Sequence, residues 1–388
     1  MPSYSAPAHR IIGLFPALLG VGGVQQAGRL TALALSEIAH RHDWEADFFS
    51  LNDPCGPQTL RMDGREVPFR GFVRAKFPFV FAGIARARRS PKQGASVVLA
   101  AHPHLALPAA WIQLTAPHFE IVVMSHGIEV WNPLPLFRRR ALLRSHRVLA
   151  PSRSTAQKLR EVQGIPSEKI SRLPWPLSLD FLSMADSPID ALPLPRSFPT
   201  GRVILTAGRW DSSEGYKCAD ELIRAMAVLS ATFPDLYLVI VGGGDLAPLE
   251  SLAASLGVTG RVHFLGRLAA EELAACYARA EIFALPSTAE GFGLVYLEAM
   301  AFAKPVVAAA CAGTTDVIEH ESNGLLVPPR DLERLSQALD RLLRDATLRA
   351  DLGRRGAEIV RRQYRFDAFE SALERILHDC GLDSPNSA

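Results

Sequence analysis

The chain has 388 residues, of which 48% are hydrophobic and 21% are charged, with a formal net charge of +2, values typical of a globular protein of about two domains. No apolar run of about 18 residues is present, so we expect no transmembrane helix, and residues 1–10 lack the pattern of a secretory signal. Five cysteines are scattered without metal-ligand or disulfide spacing, which favours free thiols in a reducing cytoplasm.

The first half of the chain alternates strand and helix signals. Apolar, β-rich runs predict strands at residues 9–15, 96–101, 120–124 and 146–150. A glycine-rich loop follows the first of these strands, and apolar residues at helical spacing then predict a helix. Ligands of parallel α/β sheets bind beyond the carboxyl ends of the strands, so the residues after each strand are candidates for a site. They are Gly22, Gly23, His102, His104 and His126.

The charge is unevenly divided along the chain. Residues 1–182 carry 22 Lys and Arg against 12 Asp and Glu, whereas the remainder carries 20 against 28. The densest basic segment, residues 70–92, is also rich in phenylalanine, and a second basic cluster occupies residues 138–147. Such segments can hold a protein on anionic lipid, attract an acidic acceptor, or simply form a solvated surface. No nucleic-acid-binding signature accompanies the charge, so nucleic acid is not expected as a partner.

The periodic pattern lapses between residues 183 and 200, where four prolines predict an interdomain linker. Beyond it, strands are predicted at residues 202–207, 236–241, 261–264, 280–285 and 305–309, with helical patterns between them. Alternation in both halves predicts two doubly wound α/β domains with parallel sheets. The predicted domains are an N-terminal one over residues 1–182 and a C-terminal one over residues 201–363, joined by the linker over residues 183–200.

The most informative segment is 286–300, in which a predicted strand ends, a glycine-bracketed turn follows, and a helical pattern begins at Leu294. Such a unit brings backbone N–H groups and the positive end of a helix dipole to one point, which suits a phosphate. Glu290 and Glu298 flank this point and can accept hydrogen bonds from sugar hydroxyls. The segment favours a nucleotide-sugar site, although an ordinary α/β connection explains it equally well when it is considered alone.

Two cations follow the first strand of the second half. Arg209 comes directly after Gly208, and Lys217 lies eight positions further on. A diphosphate needs such side chains, both to neutralise its charge and to stabilise a departing nucleoside diphosphate. An exposed arginine and a lysine at a helix start are the alternative interpretation. The glycine triplet 242–244 after the next strand permits either close approach of a ligand or a tight turn.

Together these residues resemble the retaining glycosyltransferases of family 4, which have the GT-B fold of two Rossmann-like domains facing across a cleft. The resemblance is strongest over residues 203–328 and continues more weakly through the first half. It rests on Gly208-Arg209 with Lys217, the run 261–266, the segment from Glu290 to Met300, and the runs 304–307 and 323–328. The family's Gly before Lys304 is Ala303 here, and its usual Asn-Gly turn is Trp175-Pro176.

The resemblance implies transfer of a sugar from a UDP- or GDP-sugar to a glycan or lipid-linked acceptor, with retention at the anomeric carbon. Arg209 and Lys217 would hold the diphosphate, Glu298 would accept from the ribose, and Glu290 would accept from the transferred sugar. His126 would face that sugar from the other domain. The implied catalytic residues are His126, Arg209, Lys217 and Glu290. The implied donor site comprises Gly23, Gly208, Arg209, Lys217, Leu265, Gly266, Arg267, Glu290, Gly291, Phe292, Gly293, Leu294, Val295 and Glu298. Gly22, His102 and His104 are candidates for the acceptor.

No metal ion or other cofactor is expected, because Arg209 and Lys217 supply the cations and no Asp-x-Asp follows a strand. The resemblance also implies that residues 364–388 return to the N-terminal domain. We expect a cytoplasmic protein, with peripheral attachment to the inner face of the cell membrane as a further option. Two other classes stay open: a nucleotide-sugar epimerase of the same fold, and a non-catalytic subunit that binds nucleotide-sugars.

Overall fold

The computed structural model describes residues 9–90 and 95–382. The described chain forms two compact units. The first comprises the described parts of Met1–Pro176 and Phe366–Ala388, and the second comprises Leu177–Arg365. Within the described residues, no helix combines the length and the apolar character that crossing a bilayer requires.

The first unit is built on an eight-stranded sheet. Its strands are β1 Arg10–Phe15, β2 Glu45–Ser50, β3 Gly56–Met62, β4 Arg65–Gly71, β5 Ser96–Ala100, β6 Phe119–Met124, β7 Arg147–Ala150 and β8 Ile170–Arg172. The strand order is β3-β4-β2-β1-β5-β6-β7-β8. β3 and β4 form an antiparallel hairpin, and the other neighbouring strands are parallel.

Five helices connect these strands, namely α1 Gly23–Arg41, α2 Lys76–Arg88, α3 Ala106–Thr115, α4 Leu136–Arg144 and α5 Arg153–Glu161. The central strands β1 and β5 are buried at every residue, as expected of continuous apolar runs in a parallel sheet that is covered on both faces. β1 and β5 are neighbours, and the helices that follow them lead to opposite sides of the strand order. The carboxyl ends of these two strands therefore form the crevice in which ligands of such sheets bind.

The second unit contains a six-stranded parallel sheet with the order β11-β10-β9-β12-β13-β14. Its elements are α6 Leu179–Asp186, β9 Arg202–Ala207, α7 Ala219–Leu229, β10 Leu236–Val241, α8 Ala247–Ser255, β11 Val262–Gly266, α9 Ala270–Arg279, β12 Ile282–Leu285, α10 Leu294–Ala301, β13 Val306–Ala309, α11 Thr314–Val317, β14 Gly324–Val327, α12 Leu332–Arg344 and α13 Ala346–Gln363. This is the Rossmann order, whose switch point lies between β9 and β12. The two parallel α/β sheets confirm the predicted fold class.

Residues 183–200, predicted as a linker, lie inside the second unit, because the chain passes between the units at Pro176 and Leu177. Apolar side chains explain this position. Phe181 of α6 contacts the rings of Tyr277 and Phe302, and Leu192 is buried against α9. The last helix, α14 Phe366–Asp379, belongs to the first unit and packs on α1.

Candidate active site

The switch point of the second sheet brings together two loops that carry predicted site residues. Gly208 and Arg209 follow β9, and a short 3-10 segment, Ser212–Lys217, comes next. The loop after β12 is tied to this segment, since the backbone N–H of Thr288 donates to the carbonyl of Tyr216 at 2.7 Å. The fold therefore places Lys217 beside the Glu290 loop, as two loops that leave adjacent parallel strands should be.

Arg209 and Lys217 converge on a carboxylate that the sequence analysis did not select. Glu214, whose side chain is 7% exposed, accepts from the Arg209 guanidinium and the Tyr216 hydroxyl, and its Oε2 lies 3.2 Å from the Lys217 Nζ. Burial raises the pKa of Glu214, but the Tyr216 hydrogen bond and the Lys217 and Arg209 charges outweigh it, and the pKa falls below its ordinary value. Two cations are thus fixed at one point by an ionised group.

Glu290 lies close to one of these cations, Lys217. Burial raises the pKa of its carboxyl, and the Glu214 charge adds to this, while the Lys217 charge and the backbone N–H groups of Gly291 and Phe292 act in the opposite direction. The Glu290 loop is closely packed against Gly313. A Cβ at Gly313 would overlap the carbonyl oxygen of Glu290, so only glycine fits there.

The helix α10 begins at the predicted phosphate position. Gly293 caps it with φ of +90°, and a Cβ at this position would run into the Tyr296 ring, so both the backbone angle and the packing require glycine. The first turn carries no Asp or Glu, and the backbone N–H groups of Leu294 and Val295 belong to it. An anion at this helix start would meet free donors and the positive end of the dipole.

Glu298 lies one turn further along α10, and among the described residues one side chain is hydrogen-bonded to it. The hydroxyl of Tyr277 on α9 donates to its Oε2 at 2.9 Å. Burial raises the pKa of Glu298, and the Tyr277 hydrogen bond opposes this only in part. The other carboxylate oxygen is available to hydroxyl donors, which is what a ribose presents.

Two glycines of the triplet 242–244 serve close packing of backbone on backbone. A Cβ at Gly242 would overlap the Gly208 carbonyl, and one at Gly244 would lie 2.5 Å from the Trp210 carbonyl carbon. The predicted base-binding residues Leu265, Gly266 and Arg267 stand at the end of β11, with β10 between them and β9. They share the carboxyl edge of the sheet with the cations but lie farther along it.

In the first unit the predicted histidines form one stack. The ring of His126 lies between those of His102, at a centroid distance of 5.5 Å and 25°, and Trp175, at 5.3 Å and 29°. The ring of His104 meets His102 edge-on at 4.5 Å. Because the Nε2 of His126 is 2.8 Å from the Ala101 carbonyl oxygen, which only accepts, Nε2 carries the proton of the neutral ring.

The imidazoles of this stack are neutral near pH 7. Burial lowers the pKa of His126, although the Glu129 charge and the bond to Ala101 oppose it. Burial, followed by the nearby His126, lowers the pKa of His102 to about 3. The pKa of His104 is lowered by burial and then by the Arg138 charge. The stack therefore presents aromatic surface and neutral hydrogen-bonding nitrogens.

The glycine pair after β1 stands at the start of α1, where Gly22, with φ of +138°, precedes the first helical residue, Gly23. The loop before it is fixed by a buried carboxylate that the sequence analysis missed. Asp53 accepts from the backbone N–H groups of Leu18, at 2.6 Å, and Leu19, at 3.2 Å. These two backbone N–H groups therefore already have a hydrogen-bond acceptor within the chain.

The structure adds four residues to the two sites that the sequence patterns did not single out. Glu214 and Tyr216 stand between the two predicted cations, so an acidic residue three positions before Lys217 was the available clue. Tyr277 and Asp53 lie in other segments, and only the fold brings them to Glu298 and to the loop after β1.

Two family profiles match consecutive parts of the chain. The one described as Glycosyltransferase Family 4 matches residues 27–181, and the one described as Glycosyl transferases group 1 matches residues 195–359. The second contains every predicted donor residue except Gly23, and the first contains the three predicted histidines.

Similar proteins are named glycosyltransferases. The D-inositol 3-phosphate glycosyltransferase of Salinispora tropica is 40% identical over 43% of this chain and 36% of its own length. The GDP-mannose-dependent alpha-(1-6)-phosphatidylinositol monomannoside mannosyltransferase of Mycobacterium tuberculosis is 36% identical over 42% of this chain and 44% of its own length. In both, the matched stretch is less than half of the relative. The D-inositol 3-phosphate glycosyltransferase of Stackebrandtia nassauensis is 30% identical over 74% of this chain and 70% of its own length.

Solved structures share the fold over nearly the whole chain. HepE of Anabaena, solved in complex with UDP, gives a TM-score of 0.74 at 20% identity and covers 95% of this chain and 100% of its own. Sucrose-phosphate synthase of Thermosynechococcus elongatus gives 0.72 at 21% identity and covers 95% of this chain and 98% of its own. Taken with the two profile matches and the extended similarity to the Stackebrandtia nassauensis enzyme, these findings show that the chain belongs to the family 4 (group 1) glycosyltransferases of GT-B fold.

Proposed function

We propose that the protein transfers a sugar from a nucleoside-diphosphate donor, UDP- or GDP-linked, to a glycan or lipid-linked acceptor, with retention of configuration and without a metal ion. The observation that carries this proposal is the convergence of Arg209 and Lys217 on Glu214, with Lys217 also close to Glu290, at the switch point of the second sheet. Two fixed cations at this point suit a diphosphate, whose charge increases as it leaves.

The remaining residues fit the other parts of a nucleotide-sugar. The backbone N–H groups at the start of α10 suit a phosphate oxygen. Glu298, oriented by Tyr277, suits the ribose hydroxyls, and Glu290 suits a hydroxyl of the transferred sugar. The neutral imidazole of His126 suits a sugar hydroxyl better than a phosphate, which supports its predicted role toward the sugar.

The proposed reaction needs no protein nucleophile. The bond between the anomeric carbon and the diphosphate oxygen breaks, and a bond forms from the same carbon to the acceptor oxygen on the same face of the sugar. The acceptor proton passes to the departing diphosphate oxygen. Arg209 and Lys217 stabilise the charge that this oxygen gains, the task that a divalent ion performs in other phosphate chemistry.

Four measurements test the proposal. NMR of the product must show the donor's anomeric configuration, and an inverted linkage rejects retention. Turnover that EDTA abolishes and Mg²⁺ restores rejects metal independence. Incubation with donor alone separates an epimerase, which isomerises the donor, from a transferase, which needs the acceptor.

A thermal-shift screen of UDP- and GDP-sugars identifies the donor, since a bound ligand raises the free energy of unfolding by about RT ln(1 + [L]/Kd).

We propose further that the acceptor is lipid-linked or anionic and is reached at a membrane surface. The phenylalanine side chains in the basic segment 70–92 and directly before it divide into two groups. Phe69, Phe72 and Phe79 are buried, whereas Phe77 and Phe81 of α2 are 70% and 64% exposed. Lys92 of this segment lies outside the described residues. The segment is therefore partly core and partly an exposed apolar surface.

Neighbouring helices extend that surface. α2 packs on α3, and α3 packs on α4. α3 exposes Trp111 and Leu114, and α4 exposes Leu136 and Phe137. No Asp or Glu occurs in residues 67–119 or 130–160, which include all three helices. Exposed apolar side chains on a wholly basic background suit an anionic bilayer, to which each cation contributes about 1 kcal/mol.

A further inference from the structure

A second cluster of side chains that could bind a metal ion lies in the first unit, where α14 packs on α1. His42 follows the last residue of α1, and Glu374 and His378 are one turn apart on α14. One ligand atom from each of these three residues lies within 4.8 Å of the other two. All three side chains are half-buried, so their ligand atoms are partly shielded from solvent and still accessible to an ion.

The orientation of the His378 imidazole is suited to a metal ion. His378 Nδ1 is hydrogen-bonded to the carbonyl of Leu382, which only accepts, so the proton is on Nδ1 and the Nε2 lone pair is free for a ligand. Ligating histidines almost always have such a bond on the other nitrogen.

The spacing of the rings agrees with this. The rings of His42 and His378 are 5.3 Å apart and nearly perpendicular. Two imidazoles on one tetrahedral ion, with metal–nitrogen distances of about 2.1 Å, have centroids roughly 5 Å apart. Trp44 stacks on His42 at 4.6 Å and meets His378 edge-on at 5.7 Å, so both rings are braced by one indole.

Glu374 is also held in place. One carboxylate oxygen is bonded to the His42 Nε2, and the other accepts from Arg41 Nη1 at 2.7 Å. Arg41 is paired at the same time with Glu370, whose charge offsets that of the guanidinium. The carboxylate therefore keeps one oxygen directed at the two histidines.

We propose that His42, Glu374 and His378 bind a divalent ion of the zinc type, which fixes α14 to α1 within the first unit. Two imidazoles and one carboxylate are a nitrogen and oxygen set that prefers Zn²⁺ to Mg²⁺ or Ca²⁺. A water molecule completes the tetrahedron. The ion has a structural role that is separate from sugar transfer, so this inference does not depend on the proposed reaction.

The test uses tag-free, full-length protein stripped with a chelator and dialysed. Titration with Zn²⁺ should show about one tightly bound ion per chain, with Tm raised by about 5 °C at a hundredfold excess over Kd. Glu374→Gln keeps a partner for Arg41 but removes the charged ligand, and His378→Ala removes one imidazole. Each of these single variants should lose both the Zn²⁺ binding and the Tm shift. Each variant's circular dichroism without metal reports whether it is folded.

A matched control is available in the same unit. His146 and Glu120 form a His–Glu pair, 3.3 Å apart, and this pair is not part of the three-residue cluster. His146→Ala should keep the full Zn²⁺ stoichiometry and Tm shift. The proposal is overturned if the wild type shows no stoichiometric binding, or if the folded Glu374→Gln and His378→Ala variants bind Zn²⁺ as the wild type does.

Discussion

The two sheets have the same winding around their central strands but opposite chemistry at their carboxyl edges. In the second unit the edge between β9 and β12 is ionic, with Arg209 and Lys217 gathered on Glu214. In the first unit the edge beyond β5 and β6 is neutral and aromatic, with His126 between His102 and Trp175. The fold decides where a ligand can bind, and the side chains after each strand decide what kind of ligand it is.

Lys217→Ala gives the largest expected effect, because it removes a fixed cation from the ionic edge. We expect kcat to fall at least about a hundredfold, corresponding to about 3 kcal/mol of lost stabilisation of the leaving group. Steady-state kinetics with an identified donor measures the effect. Arg224→Ala, an exposed cation on α7, should leave kcat unchanged. Near-normal kcat in Lys217→Ala would place the diphosphate elsewhere.

Glu298→Gln tests the sugar-recognition part of the same edge. Hydrogen bonds to a charged acceptor contribute about 1.5–3 kcal/mol, so donor Kd should rise about tenfold to hundredfold. Burial raises the pKa of Glu298, so its ionised form is lost at a higher pH than for an ordinary glutamate, and wild-type donor binding should weaken on acidification as this carboxyl takes up its proton. Calorimetric titration across pH should show a flatter profile for the variant. The exposed Glu250→Gln variant should match the wild type.

The next largest effect is expected when exposed apolar side chains of the first unit are removed. We expect Phe77→Ser with Phe81→Ser to lower the partition onto anionic vesicles about tenfold, since each phenylalanine can bury part of its ring in the interface. Arg88→Glu with Arg89→Glu should act in the same direction. Val228→Ser, at a side chain 56% exposed in the acidic second unit, is the control for co-sedimentation. Equal recovery on neutral and anionic vesicles would favour an acceptor in solution.

His102→Asn probes the neutral edge, and its effect is expected only on acidification. The folded-state pKa of His102 is about 3, below its ordinary value of 6.5. Protons therefore bind the unfolded chain first, and the stability due to this group is complete above pH 6.5 and is lost as pH falls below it. The slope contributed is about 1.4 kcal/mol per pH unit in that window. Asparagine keeps an acceptor for the His104 N–H but does not titrate.

Urea unfolding at pH about 7 and about 5 measures this difference, since other titrating groups cancel between wild type and variant. The His102→Asn protein should lose less stability on acidification than the wild type. His40→Asn, at an exposed position of α1, should retain the wild-type pH dependence. An identical loss in His102→Asn would mean that the imidazole at position 102 is accessible to protons in the folded protein.

The fold class and the positions after the strands could be predicted, because both depend on contiguous patterns. The alternation of apolar runs predicted β9, β10 and β12 closely, and their ends located Arg209 and Glu290. The β3–β4 hairpin was not predicted, since its strands are half-exposed and carry polar residues at many positions. Phenylalanine spacing did not reveal which rings of α2 face the core, because that depends on the helices packed beside it.

Partners from distant segments could not be predicted at all. Tyr277 reaches Glu298 from another helix, and His42 meets Glu374 across 332 positions of sequence. Local propensity contains no information about such pairs, which arise only when the sheet order brings helices together. Glu214 differs from these distant partners, because its place between the two cations is visible in the sequence.

Glu214 gives the proposed phosphate pocket an internal counterion. An arriving diphosphate meets cations that are already paired, so its binding exchanges one anion for another instead of filling a bare basic pocket. We expect donor affinity to depend only weakly on ionic strength, since the net charge change at the site is partly compensated, and titrations at low and high salt measure this. When the nucleoside diphosphate departs, the same carboxylate can pair with both cations again, so each turnover returns the pocket to its starting charge without ions from solution.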